Sequence, residues 1–80
     1  MEENARYHVV KRDDGKYEVK LENSEHASAV TYTQAQAIEA GIQFAENKGN
    51  GNVFIHGQDG AIRDSVNIVD GKRTYTHPTK

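Results

Sequence analysis

The sequence contains no cysteine and no tryptophan, and it has a single proline and no long apolar run. Without cysteine the chain has neither a disulfide nor a thiolate zinc site, which is the usage expected in a reducing cytoplasm. No stretch approaches the ~18 apolar residues of a membrane helix, and the acidic opening MEENARYHVV lacks the apolar region of a secretory signal. We therefore expect a cytoplasmic protein that does not bind a membrane.

Eighty residues, of which 35% are hydrophobic, are enough for one domain with a thin core. A core of this size supplies only about 3–5 kcal/mol of net stability. The net charge is −2, with acids and bases interspersed, and this is not the charge distribution of a general nucleic-acid binder. A thin core favours support from a partner surface, which includes the surface of a second copy.

The first part of the chain has the pattern of a β-hairpin. RYHVVKR (6–12) is rich in β-forming residues, and DDG (13–15) is a turn signal. KYEVKLE (16–22) alternates apolar and charged residues, as a half-buried strand does. SAVTY (28–32) could add a short third strand before the helix.

The stretch TQAQAIEAGIQFAENKG (33–49) predicts a helix. Thr33 and Gln36 have the spacing of a capping box, in which each side chain accepts a hydrogen bond from a free backbone N–H of the first turn. Gly49 suits the position just after the helix, because glycine enters the left-handed region without a Cβ penalty. An apolar stripe then predicts which side of the helix packs on a sheet. Its members are Ile38, Gly41, Ile42 and Ala45.

A second hairpin is predicted where NVFIHG (52–57) and AIRDSVNI (61–68) flank the residues QDG. Both hairpins contain an x-Asp-Gly turn, which is typical of a type I turn followed by a glycine bulge. The turn residues are Asp14 and Gly15 in the first hairpin, and Gln58, Asp59 and Gly60 in the second.

These elements predict one α+β domain over residues 6–68. Its antiparallel sheet would consist of two hairpins, and a single central helix would pack on one face, in the order ββ(β)αββ. Residues 1–5 are expected to be a flexible N-terminus. Residues 69–80 are expected to form either an extra hairpin strand over Lys72–Thr76 followed by a flexible tail, or a tail alone.

The stretch VFIHGQDGAIRD (53–64) also contains the residue types of a catalytic or metal site. His56, Asp59 and Asp64 are the side chains that such a site would use. Turn formation explains Asp59, however, and the chain has neither a nucleophile–base–orienter pattern nor a phosphate-binding loop. We therefore predict no catalytic residue, no cofactor and no metal. A pair of His8 and His56 would need their strands to be neighbours.

Several short motifs follow one another in a specific order between residues 7 and 64. They are His8-Val9-Val10, Thr33-Gln34, Ala37-Ile38, His56-Gly57, Asp59-Gly60 and Ile62-Arg63. In this order they resemble the small bacterial and phage domains of unknown-function family 2188. Lys11 and Tyr17 depart from the family pattern, where Pro and Trp are common. The resemblance implies a ββ(β)αββ α+β fold and implies no activity.

We predict a small non-enzymatic interaction module that binds itself, as a homodimer, or another protein. The helix would cover one sheet face and leave the other for the partner. Aromatic candidates for this open face are Tyr7, His8, Tyr32 and Phe54, although core packing explains Tyr7 and Phe54 at least as well.

The alternative is nucleic-acid binding through a basic face of the first hairpin. Glu18 and Glu22 alternate with lysines on that face. Their carboxylates weaken the positive electrostatic potential that phosphate contacts need. A small enzyme is a third hypothesis, which would require a dimer cleft lined by histidines. The candidate contacts to a partner or to nucleic acid are Arg6, His8, Lys11, Arg12, Lys16, Lys20, His56 and Arg63.

Overall fold

The computed structural model of the chain describes residues 5–57 and 59–76. The elements are β1 Ala5–Lys11, β2 Tyr17–Leu21, β3 Ala27–Thr31, α1 Gln34–Lys48, β4 Gly51–His56, β5 Ile62–Val69 and β6 Lys72–Thr76. The six strands form one sheet in the order β3-β2-β1-β4-β5-β6. The predicted α+β class with one helix is therefore confirmed for the described residues. Gln58 and most of the predicted flexible ends lie outside them.

The sheet is mixed, so the prediction of a wholly antiparallel sheet was wrong. β1 and β4 are adjacent and parallel, with Tyr7 opposite Val53 and His8 opposite Phe54. All other neighbouring strands are antiparallel. The reason is the connection: β3 runs in the same direction as β1, and α1 then carries the chain back along the sheet face. β4 therefore starts beside the start of β1, as a helical crossover requires.

The two predicted hairpins share one backbone pattern in their turns. The N–H of Gly15 donates to the carbonyl of Arg12 at 3.1 Å, and the N–H of Gly60 donates to the carbonyl of Gly57 at 3.0 Å. The two donor glycines have φ of 87° and 88°. This is the left-handed region, which a residue without a Cβ enters at low cost.

The aspartates of these turns have one structural role in common. The Asp14 carboxylate accepts a hydrogen bond from the N–H of Lys16 at 3.0 Å. The Asp59 carboxylate accepts the equivalent bond from the N–H of Ala61 at 3.1 Å. Side chains of this type mimic a backbone turn and stabilise it. Turn formation is therefore a sufficient reason for both Asp-Gly pairs.

A third hairpin joins β5 to β6. The sequence had left open whether Lys72–Thr76 forms an extra hairpin strand or belongs to a tail. Val69 pairs with Lys72, so the connecting loop has two residues. These residues, Asp70 and Gly71, both have positive φ, 53° and 79°. This is the geometry of a type I′ turn, whose twist matches that of the strands it joins.

Hydrogen bonds close both ends of α1. The Thr33 hydroxyl accepts from the N–H of Gln36 at 3.1 Å, and the Gln36 side-chain oxygen accepts from the N–H of Thr33 at 3.3 Å. This is a complete capping box. At the other end, Gly49 has φ of 94° and its N–H donates to the carbonyl of Ala45.

Along the described part of the chain, no helix combines the length and the apolarity that crossing a membrane requires.

The core lies between α1 and one face of the sheet. Gly41 allows the close approach of the helix, because a Cβ at this position would lie 3.1 Å from Val53 Cγ1. Tyr7 packs in this core against Phe44, with ring centroids 5.6 Å apart, so of the two places that the sequence left open for Tyr7 it occupies the core. The buried hydrophobic residues are Ala5, Tyr7, Val9, Val19, Ala37, Ile42, Ala45, Val53, Ile55, Val66 and Ile68.

Several described carboxyl groups make folding dependent on acid pH, and Asp14 and Glu39 are two of them. The backbone N–H of Lys16 and the guanidinium of Arg12 hold the pKa of Asp14 below its usual range. Arg73 does the same for the pKa of Glu39. A carboxyl whose pKa is lower in the folded state stabilises the fold above its unfolded pKa, and loses this effect as pH falls. We expect the urea midpoint of unfolding to fall between about pH 5 and pH 3.

Over this pH range, the urea midpoint of the Asp14→Asn variant should fall less than that of the natural chain. Asparagine still accepts the turn hydrogen bond but does not titrate. Asp13→Asn is the matched control, because it removes the same charge from the same turn and leaves the contacts of Asp14 intact. Equal responses of the two variants in urea titrations across this pH range would contradict the role given to Asp14.

Candidate functional site on the open sheet face

The face of the sheet opposite α1 is uncovered in the described chain, and its centre is apolar and aromatic. His8 and Val10 of β1 and Phe54 and His56 of β4 alternate with core residues and therefore point to this face. These are the two middle strands of the sheet. Val30 on β3 and Ile62 on β5 are 47% and 52% exposed.

Charged residues of both signs lie beside this apolar centre. Lys20 pairs with His8 in the β1–β2 register, and Glu18 pairs with Val10. Arg6 lies 3.6 Å from the Glu22 carboxylate. The open face therefore has a middle formed by Val10, Phe54 and two histidines, and a mixed charged border on its β1–β2 side.

Two histidines meet in the middle of the open face. His8 Nδ1 lies 2.9 Å from His56 Nε2. The other ring nitrogen of His8, Nε2, lies 2.8 Å from Glu22 Oε1. The other ring nitrogen of His56, Nδ1, lies 2.8 Å from the carbonyl oxygen of Gly60. The His8 ring also stacks on Phe54 at a centroid distance of 5.3 Å, and its side chain is 25% exposed. The strands of the two histidines are thus neighbours, which is the condition that the sequence had left open.

The outer contacts determine which nitrogen of each histidine carries a hydrogen. A carboxylate and a carbonyl oxygen accept hydrogen bonds but cannot donate them. His8 Nε2 and His56 Nδ1 must therefore be N–H donors toward Glu22 and Gly60. If both rings are neutral, their inner nitrogens have only lone pairs, which face each other at 2.9 Å. The contact is satisfied when one of these two nitrogens carries a hydrogen and donates it to the other.

The predicted basic contacts are not gathered on one face. Arg12 lies within 3.2 Å of both Asp14 and Glu18, so two carboxylates neutralise its guanidinium. The ammonium of Lys16 lies over the ring of Tyr32, 5.2 Å from its centroid. Arg6 and Lys20 point to the open face by strand alternation, and Arg12 contacts Glu18 of the same face.

Lys11 and Arg63 lie away from the centre of the open face. Lys11 pairs with Tyr17 at the end of β1, in the register of the helix-covered side. Arg63 forms an ion pair with Asp59 at 3.1 Å and packs over Gly57. Both line a depression of about 290 Å³ at this end of the sheet.

Sequence reasoning did not identify two members of the histidine network. Glu22 was seen as a carboxylate that weakens a basic face, and Gly60 as a turn residue. The β1–β2 hairpin places Glu22 beside the start of β1, where the N–H of Glu22 donates to the carbonyl of Arg6. The second turn folds back so that the Gly60 carbonyl faces His56. Strand register produces both contacts, and no local sequence motif signals them.

Comparison with known proteins gives one result. Residues 7–67 match a family described as an uncharacterized protein conserved in bacteria (DUF2188). This match covers the sheet from β1 into β5 and all of α1. No similar protein was found among curated proteins or among solved structures.

Proposed function

The chain belongs to the bacterial family DUF2188, and from this premise we propose that it is a small non-enzymatic interaction module that forms a homodimer through the open face of its sheet. The uncovered apolar centre of that face is the observation that carries the proposal. A cytoplasmic location remains a prediction from the sequence.

The size of the open face suits a dimer interface. Six strands spaced about 4.8 Å apart, each about 18 Å long, give a face of about 500 Å². A standard interface buries about 800 Å² of accessible surface per partner, which is of the same order. Val10 and Phe54 lie on its two middle strands, where an interface is normally most apolar. A second copy of the same face would cover them.

The charges of the open face also suit a second copy. In a two-fold symmetric dimer each patch meets its own copy, so a patch of one sign would repel itself. Arg6 and Lys20 are accompanied by Glu18 and Glu22 on the same face. Bases of one copy can therefore lie against acids of the other, which favours this partner over one of a single charge.

Nucleic-acid binding through the first hairpin is the second candidate, and it has less support. Phosphate contacts need basic side chains that are free of acidic neighbours. Arg12 is paired with two carboxylates, and Arg6 lies beside Glu22. The open face thus offers little net positive charge to a phosphate backbone.

Replacing Val10 by glutamate should convert the dimer to a monomer. The new carboxylates would lie at the centre of the interface, where burial of like charges is unfavourable. The measurement is light scattering coupled to size exclusion, performed over a range of protein concentrations. We expect the natural chain to have twice its 8.9 kDa mass, and the variant to have the mass of one chain.

Ala35→Glu is the matched control, because it adds the same charge at an exposed position on the helix side of the molecule. This variant should remain a dimer. A natural chain that is monomeric at every concentration would refute the proposal. A monomer whose mass shifts when duplex DNA is added at low salt, and returns at high salt, would establish the nucleic-acid alternative instead.

A further inference from the structure

The two histidines in the middle of the open face belong to a chain of hydrogen bonds that one proton completes. We propose that His8 and His56 share this proton, and that its uptake strengthens the homodimer. The chain of hydrogen bonds runs from Glu22 across both rings to Gly60. The effect on the dimer rests on the proposed function, whereas the shared proton belongs to a single chain.

The number of hydrogens that the three contacts need determines the protonation state of the pair. Glu22 Oε1 lies 2.8 Å from His8 Nε2, His8 Nδ1 lies 2.9 Å from His56 Nε2, and His56 Nδ1 lies 2.8 Å from the Gly60 carbonyl oxygen. Each contact needs one hydrogen, and both outer partners are acceptors only. Two neutral imidazoles supply two hydrogens, one from each ring. One additional proton therefore completes all three hydrogen bonds.

Glu22 places the positive charge of the pair on His8. The hydrogen bond from His8 and the charge of Arg6 hold the pKa of the Glu22 carboxyl below its usual range. Glu22 is therefore an anion over about pH 5–8, where imidazoles titrate, and an anion beside an imidazole favours the protonated ring. His8 then donates from both nitrogens, while His56 accepts at Nε2 and donates from Nδ1 to Gly60. A second proton would set two N–H groups against each other, so the pair binds one.

Charged groups of both signs from the neighbouring strands surround the pair. Glu22 is in direct contact with His8, at 2.8 Å. Arg6 lies 3.6 Å from Glu22 with its side chain 58% exposed, so water and salt screen its charge. The carboxylate in contact favours the additional proton more than a screened cation opposes it. The surrounding groups are Arg6 and Lys11 on β1, Glu18, Lys20 and Glu22 on the β2 side, and Arg63 and Asp64 on β5.

Burial of the open face in a dimer strengthens the preference for the protonated pair. Without the proton, two acceptors face each other in one of the three contacts. In a single chain water can reach these atoms, because the His8 side chain is 25% exposed and a depression of about 370 Å³ lies beside both rings. A second copy excludes this water, and an unsatisfied polar atom at an interface opposes association. The dimer therefore binds the proton more tightly than the monomer, and by linkage the proton favours the dimer.

The first test is NMR of the isotope-labelled natural chain, which needs no variant. At about pH 6 we expect hydrogens on three of the four ring nitrogens of the pair, and on two of them at about pH 8.5. At the lower pH a scalar coupling should join His8 Nδ1 to His56 Nε2 through their hydrogen bond. The absence of this coupling, with each ring gaining its proton independently, would overturn the shared proton.

The second test is the dissociation constant of the dimer, measured by analytical ultracentrifugation across the same pH range. We expect it to be about 10-fold or more higher at about pH 8.5 than at about pH 6. His56→Gln should remove most of this difference, because an amide can present either an N–H or an oxygen to His8 without binding a proton. His26→Gln is the matched control, since it removes an exposed histidine outside the network. This variant should retain the pH dependence of the natural chain.

The two tests separate the shared proton from the homodimer. A dimer whose dissociation constant is the same at both pH values, or changes equally in His56→Gln, would overturn the regulation and leave the homodimer standing. A chain that is monomeric at every pH but shows the coupled rings would refute the homodimer and its regulation, while the shared proton would stand.

Discussion

Replacing Ile42 by alanine is expected to leave most of the chain unfolded at room temperature. Ile42 is 1% exposed and is among the largest fully buried side chains of the core. Truncating a buried isoleucine to alanine costs about 2–5 kcal/mol, because transfer energy is lost and a cavity remains. A domain of this size has only about 3–5 kcal/mol of net stability. The cost of one side chain is thus comparable to the stability of the whole fold.

The measurement is urea unfolding followed by circular dichroism, with Ile62→Ala as the control. Ile62 is 52% exposed on the open face, so removing the same atoms there should change stability by no more than about 0.5 kcal/mol. Equal losses at the two positions would show that α1 does not form the main core contact. The experiment should be run at a protein concentration at which both variants have the same mass, because dimerisation adds to apparent stability.

Replacing Gly51 by alanine is the second change for which we expect a large loss. A Cβ at this position would lie 2.6 Å from the carbonyl oxygen of Ala5 and 3.4 Å from the Cβ of Ala45. The first contact is with backbone in the adjacent parallel strand, so no rotamer change can relieve it. Overpacking of this kind costs about 1–3 kcal/mol or more. Relief would require β1 and β4 to separate where both strands begin.

Gly57→Ala is the matched control for this change. Its Cβ would also approach another atom at 2.6 Å, but that atom is Arg63 Nε on an exposed, flexible side chain. Arg63 can move aside, so we expect a far smaller change in the urea midpoint. If Gly57→Ala lowered the urea midpoint as much as Gly51→Ala, the loss of stability would depend on contact distance alone. The rigidity of the contacted group would then play no part.

Gly51 also lies on the strand pair that brings the two histidines of the open face together. The parallel pairing of β1 with β4 places Gly51 opposite Ala5 and, further along, Phe54 opposite His8. The same register brings His56 to His8. A variant that separates these strands should therefore lose the contact between His8 and His56 together with stability, whereas Gly57→Ala should retain both.

The sequence by itself determined the local elements of this protein. Alternation of apolar and charged residues identified β2, and the spacing of Thr33 and Gln36 located the start of α1. The Asp-Gly pairs located the two x-Asp-Gly turns. These features depend on backbone conformation and hydrogen bonds within a few residues, so the information is contained in short stretches.

Tertiary structure alone decided how the two hairpins join through β1 and β4, and what meets on the open face. The parallel β1–β4 pairing joins residues more than forty positions apart, and no short-range pattern encodes that choice. Sheet order depends on how the helix buries its apolar stripe, a property of the whole chain. The pairing of His8 with His56 follows from this order, as does the placement of Tyr7 in the core.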